Sequence, residues 1–171
     1  SYTGNEVQKR RAILTMNMQG GGGFELWQFL NRVPATAMQQ IRLGDLGIFA
    51  IKLKCADVAA AFLHFSKRTD CSLSKLQKNT GGDYHFWLTD KYGNVFNLVK
   101  ASGLFKRNGH ICAGVCGAVI GVSNMEVSLD FYKNLLGVST EVYNTASAGI
   151  GPVIVRNEFY HSVLLQKIPS T

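Results

Sequence analysis

Two stretches of this chain share one layout: Ile51–Phe65 (IKLKCADVAAAFLHF) and Ala118–Tyr132 (AVIGVSNMEVSLDFY) are offset by 67 residues. Each runs from a short apolar segment into an Asp or Asn beside Val or Met, then into an amphipathic stretch with an aromatic at its end. Phe24-Glu25-Leu26-Trp27 and Phe96-Asn97-Leu98-Val99 repeat a second frame at an offset of 72. A unit of this size is too small to bury a core alone, so such a repeat requires its neighbour.

Alternation predicts strands over Arg11–Met18 and Phe24–Leu30, joined by the Gln19–Gly23 turn, whose four glycines permit positive φ. Pro34 ends that hairpin, and residues 33–45 read as a linker. Gly47–Cys55 is an expected strand and Val58–Lys67 a helix, started by Asp57, whose carboxylate can accept the unpaired amides of the first turn. After a polar stretch containing Cys71, strands Tyr84–Thr89 and Val95–Lys100 flank the turn Asp90–Asn94. Residues 101–113 read as a second linker. Strand Val115–Val122, cap Ser123-Asn124 and helix Met125–Leu136 follow, closed by Gly137, with strands Thr140–Tyr143 and Glu158–Lys167 at the end. Ile51, Leu53, Phe62, Phe65, Phe96, Leu98 and Val119 or its neighbours Ala118 and Ile120 are the expected core.

No run of about 18 apolar residues exists that could span a bilayer, and no membrane partner is expected. The net charge of +7 favours an anionic ligand or surface. Only Lys9-Arg10-Arg11 cluster, however, and no nucleic-acid partner is expected. Cys55, Cys71, Cys112 and Cys116 read as thiols of a reducing cytoplasm. Cys112 and Cys116 share a strand face, but no second pair completes a zinc set. His64, His85, His110 and His161 lie on four separate elements without HxxxH or HxH spacing, and Gly20–Gly23 lacks the Lys-Ser/Thr of a phosphate loop. Without an initiator Met or a signal peptide, the sequence reads as a processed product or a fragment.

The run Gly121-Val122-Ser123-Asn124-Met125 through Phe131-Tyr132 to Leu135-Leu136-Gly137, with the Asp90–Asn94 turn entering a strand and the Gly23–Gln28 segment, resembles the vicinal oxygen chelate superfamily. That superfamily includes glyoxalase I, the bleomycin and fosfomycin resistance proteins, methylmalonyl-CoA epimerase and the extradiol dioxygenases. The resemblance implies an α+β fold of tandem βαβββ modules, whose curved mixed sheets surround a cleft. Residues 1–33 would be the last two strands of one module, 46–101 a complete module, and 114–171 a module lacking its last strand. Unpaired strand edges invite association. A homo-oligomer, or completion by the missing part of a longer chain, is therefore expected.

In this superfamily a divalent metal is held by a His or Gln on a module's first strand and a Glu on its last, and acts as a Lewis acid. Carried over by position, the first-strand site falls on Ala50 and Gly117, and the last-strand site on Asn97 and Glu25. Only Glu25 matches, as a weak candidate metal ligand, since one carboxylate does not hold a divalent ion against water. Strand parity puts Lys52 and Lys54 opposite Ile51, Leu53 and Cys55. They either line the cleft or face water on an open sheet. Asn97 shares the cleft side by the same parity, as do Glu25 and Trp27; Trp27 and Trp87 are either core or ligand platforms. His85 and His161 would reach a shared cleft if the modules pair. The expected ligand site is therefore Lys52, Lys54, Trp27, Asn97 and His85, taking a small anionic or aromatic molecule with no metal cofactor in these modules. The alternative is a divalent-metal-dependent enzyme, a glyoxalase I-type lyase or an extradiol dioxygenase, with its other ligands on a missing segment or a partner.

Overall fold

A computed structural model describes residues 4–35, 38–79, 81–101, 103–137, 140–145, 150–156 and 161–167. The first hairpin consists of β1 (Arg10–Met16) and β2 (Gly23–Phe29), each one residue earlier at its start than alternation predicts. Strand β3 spans Gly47–Cys55. Asp57 then caps α1 (Val58–Phe65), its Oδ1 accepting from the Ala60 amide at 3.0 Å. The helix stops two residues short of Lys67, where the Arg68 amide turns back to the Phe65 carbonyl. Asn124 caps α2 (Met125–Leu136) in the same way, through the Val127 amide at 3.1 Å. Gly137, at φ 61°, ends it in the left-handed conformation that glycine enters without a Cβ penalty.

Between the helices lie β4 (Cys71–Leu73), β5 (Gln77–Lys78), β6 (Tyr84–Asp90), β7 (Val95–Lys100) and β8 (Cys112–Val122). After α2 come β9 (Thr140–Thr145), β10 (Ile150–Arg156) and β11 (His161–Lys167). Nine strands form one curved, unclosed mixed sheet in the order β4-β6-β7-β3-β8-β11-β10-β9, with β5 beside β6. Strand β7 runs parallel to β3 with Ile51 opposite Phe96, and β11 runs parallel to β8 with Ala118 opposite Val163. Both pairings carry the 67-residue offset seen in the sequence. The two first strands, β3 and β8, pair antiparallel and join the modules.

Three expectations are corrected here. The third unit does not lack its last strand: β10 was missed, and β11 takes the place beside β8 that β7 takes beside β3. Of the expected strand Glu158–Lys167, residues 158–160 lie outside the described residues. The linker over 101–113 ends earlier, because Cys112 and Ala113 already belong to β8. The polar stretch around Cys71 contains the short strands β4 and β5, which pair along β6 where few apolar residues mark them.

Under α1, Cys55, Val58, Ala61, Phe86, Leu88 and Leu98 form the main core, with Leu53, Phe62, Phe65 and Phe96 packed against it. Each large side chain fully buried there contributes roughly 1.5–3 kcal/mol. Val119 instead joins Ala50 in a second cluster with Phe49, Trp87 and Val95. Helix α2 has no buried residue, and Val127, Phe131 and Leu135 are exposed along it.

The hairpin is held by its turn. Asn17 Nδ2 donates to the Cys112 carbonyl at 3.0 Å, and Gln19, nearly inaccessible, donates from Nε2 to the His110 carbonyl at 2.8 Å. The Phe105 amide donates to the Gln19 carbonyl at 2.9 Å. A methyl on Gly20 would overlap the Ala113 carbonyl oxygen, so only glycine permits this approach. Gly20→Ala is expected to destabilise the fold by about 1–3 kcal/mol, read as a lower urea midpoint. Asp57→Ala should cost about 1 kcal/mol through loss of the α1 cap, read in the same assay.

Candidate functional site

The register of the sheet lines up one row of residues across four strands: Trp87 on β6, Asn97 on β7, Lys52 on β3 and Gly117 on β8. His85 is two residues from Trp87 on the same face of β6, its ring 6.2 Å from the indole. Asn97 is almost fully buried, and its Nδ2 donates to the Phe86 carbonyl at 3.3 Å while lying 3.2 Å from His85 Nδ1. The carbonyl partner fixes the amide orientation, because Oδ1 could not face another acceptor. His85 Nδ1 therefore accepts, and its proton sits on Nε2.

Burial lowers the His85 pKa from its ordinary 6.5, and the nearby Lys52 lowers it further, so the ring is neutral near pH 7. Burial likewise lowers the Lys52 pKa from 10.5. Among the described residues no carboxylate pairs with the Lys52 amine. A desolvated cation without a counter-ion is a standing site for an anion. Beside this row, Phe49 packs on Trp87 at 5.6 Å between ring centroids. A cavity of about 960 Å³ opens over Phe49, Ala50 and Val95, with Phe24, Leu26 and Tyr92 on its other sides. Lys52, Asn97 and His85 are not in its lining; Lys52 and Asn97 continue β3 and β7 two residues beyond Ala50 and Val95 of its floor.

Lys52, Asn97 and His85 thus come together, with Trp87, which the sequence left open between core and platform. The other expected residues do not join them. Lys54 is 1% exposed and its ammonium donates to the Gly20 carbonyl, so it anchors the hairpin turn instead of lining a cleft. Parity holds at Lys54, which stays opposite Leu53 and Cys55 along an unbroken β3–β7 ladder; it is the hairpin turn, docked over this end of the strand, that encloses it. Trp27 and Glu25 lie on the separate two-stranded sheet, both exposed, with the Arg10 guanidinium 3.8 Å above the indole centroid. Sequence reasoning placed them on the cleft side by parity alone, and the orientation of the hairpin is not a local property. Phe49 was missed, since the shifted register between Ile48 and Ala50 is invisible in the residue pattern. His161 is on β11.

The superfamily's metal does not fit the residues present. Ala50 and Gly117 have no side-chain ligand atoms, Asn97 offers only a neutral amide oxygen, and the Lys52 amine beside it repels a cation. Among the described residues no group of three or more His, Cys, Asp or Glu side chains could hold an ion. Nor, among them, is any helix long and apolar enough to cross a membrane.

Two outcomes test this geometry. Asn97→Leu removes the donor that favours neutral His85, so the His85 pKa should rise, as followed by NMR titration. Because the folded His85 pKa is depressed, its contribution to stability is complete above 6.5, the unfolded value, and is lost as pH falls through the lowered folded value. Unfolding midpoints measured across that window should fall less in His85→Phe than in the wild type.

No family profile and no curated protein matches the chain. Solved structures do. A candidate dioxygenase from Bacillus subtilis superposes with a TM-score of 0.62 at 16% identity, covering 92% of this chain and 57% of that one. Glyoxalase I from Zea mays superposes with a TM-score of 0.58 at 12% identity, covering 92% and 60%, and a mutant of it with 0.60 at 12%, covering 92% and 61%. The chain spans less than two thirds of the length of each. With its two parallel first-to-last strand pairings joined through β3 and β8, it has a glyoxalase-like fold.

Proposed function

We propose that the face formed by β6, β7, β3 and β8 binds a small organic anion with a planar or aromatic body, without a metal in these modules. The single observation that carries this reading is the Lys52 amine, desolvated and without a carboxylate partner among the described residues, beside a neutral His85 that carries its proton on Nε2. Lys52 meets the anionic group, His85 donates to it, and Asn97 holds the imidazole in that tautomer. Trp87 and Phe49 supply an aromatic wall. The reading is that of a small-molecule binding protein, as in the resistance members of the superfamily. Its four free thiols suit a reducing cytoplasm. The unpaired edges of β1 and β2 suit association with a further strand, from a second copy or from more of a longer chain; light scattering showing only monomer at all concentrations would count against it.

Calorimetric titration with a panel of aromatic carboxylates tests the site. At least one should bind, and Lys52→Met should weaken it by about tenfold or more, the value of one charged hydrogen bond. Since an anion favours the ammonium form, binding should take up a proton and weaken as pH rises through the lowered Lys52 pKa, before 10.5 is reached. No binding by any acid, or equal binding by Lys52→Met, overturns the reading. The likeness to glyoxalase I and a candidate dioxygenase favours a second reading, a metal-dependent lyase or dioxygenase completed by residues outside this chain. Elemental analysis finding about one tightly held divalent ion per chain, lost in Glu25→Ala, would promote it.

A further inference from the structure

The seam between β3 and β8 sets Cys55 directly opposite Cys112. Facing residues of an antiparallel pair have Cα atoms ~4.5 or ~5.5 Å apart, and both spacings lie inside the range of a disulfide, about 4.4–6.8 Å. Cys112 packs against the core cluster that contains Cys55, and both are free thiols. Their backbones are pinned as well: the Ala101 amide donates to the Cys55 carbonyl at 2.8 Å, and Asn17 Nδ2 to that of Cys112. Cys55 is inaccessible, but Cys112 lines a cavity of about 430 Å³ with Met16, Asn17, Phe65 and His110, which gives a small reagent a route to it. The other two thiols are placed elsewhere. Cys71 lies by the Phe65 carbonyl and Cys116 by that of Lys52.

We propose that Cys55 and Cys112 form a dithiol–disulfide couple that staples the two modules at the end of their shared seam when a small organic disulfide oxidises it. Cys112 reacts first, as the thiolate, on one sulfur of the reagent; that S–S bond breaks and one thiol leaves. The neighbouring Cys55 thiol lowers the Cys112 pKa, whereas the Cys112 side chain and burial raise that of Cys55, which sets this order. Cys55 then gives up its proton and attacks Cys112 Sγ, forming the Cys55–Cys112 bond and expelling the second thiol. The pair is oxidised, the reagent disulfide is reduced to two thiols, and the two cysteine protons end on them.

Oxidised glutathione added to the folded chain, followed by alkylation and unreduced peptide mass mapping, tests this. The expected product has a linked Cys55–Cys112 peptide, an intact mass lower by two hydrogens, two alkylatable thiols remaining out of four, and a higher urea midpoint, because the bond closes a long loop. The double variant Cys71→Ser/Cys116→Ser should form the same link, and Cys112→Ser should form none. Four reactive thiols after treatment, a glutathione adduct persisting on Cys112, or a link between any other pair would overturn the proposal. Cys112→Ser, at a half-buried position, serves where a change at the buried Cys55 prevents folding.

Discussion

The antiparallel pairing of β3 with β8 is the interaction on which the rest depends. Each module, left alone, would expose the edge of its first strand, and a bare edge is a site for unwanted pairing. Joining the two edges turns two small sheets into one of nine strands. It also creates the Ala50–Val119 cluster, which neither module could bury by itself. A register shift along this seam accompanies the packing of Phe49 on Trp87, and the hairpin turn docked at its end encloses Lys54.

The two lysines show how closely placement and chemistry are tied. Lys54 satisfies its ammonium on the Gly20 carbonyl and so fastens the hairpin turn, with Gln19 and Asn17, onto the end of the seam. Lys52, two residues earlier, is desolvated with only the nearby Cys116 thiol set against that cost. A buried charge that lacks a partner lowers stability. Such a group is tolerated where a ligand completes it, and Asn97 and His85, bonded to each other, frame it with neutral donors.

The hairpin and α2 present the opposite balance. In β7, Leu98 is inaccessible under α1, whereas Leu26, at the matching place in β2, is 56% exposed because no helix covers it. The turn is close-packed, through glycines whose missing side chains let backbones touch, and from the strands Phe24 sets its ring edge-on to Phe96 at 6.1 Å. Local contacts thus fix the hairpin's position while leaving its strands open.

Much of the architecture was legible in the sequence, since a two-residue alternation, a capping Asp57 or Asn124 and a terminal Gly137 are local signals with local causes. The 67-residue repeat marked the two units, but the pairing of β3 with β7 and of β8 with β11 at that same offset came from the structure. Strands β4, β5 and β10 were not readable, being short or weakly patterned and supported mainly by their neighbours. Nor was the division of labour between Lys52 and Lys54, or the separation of Glu25 and Trp27 from the site. Those were decided by the docking of a hairpin turn, which arises only when segments far apart in the chain meet.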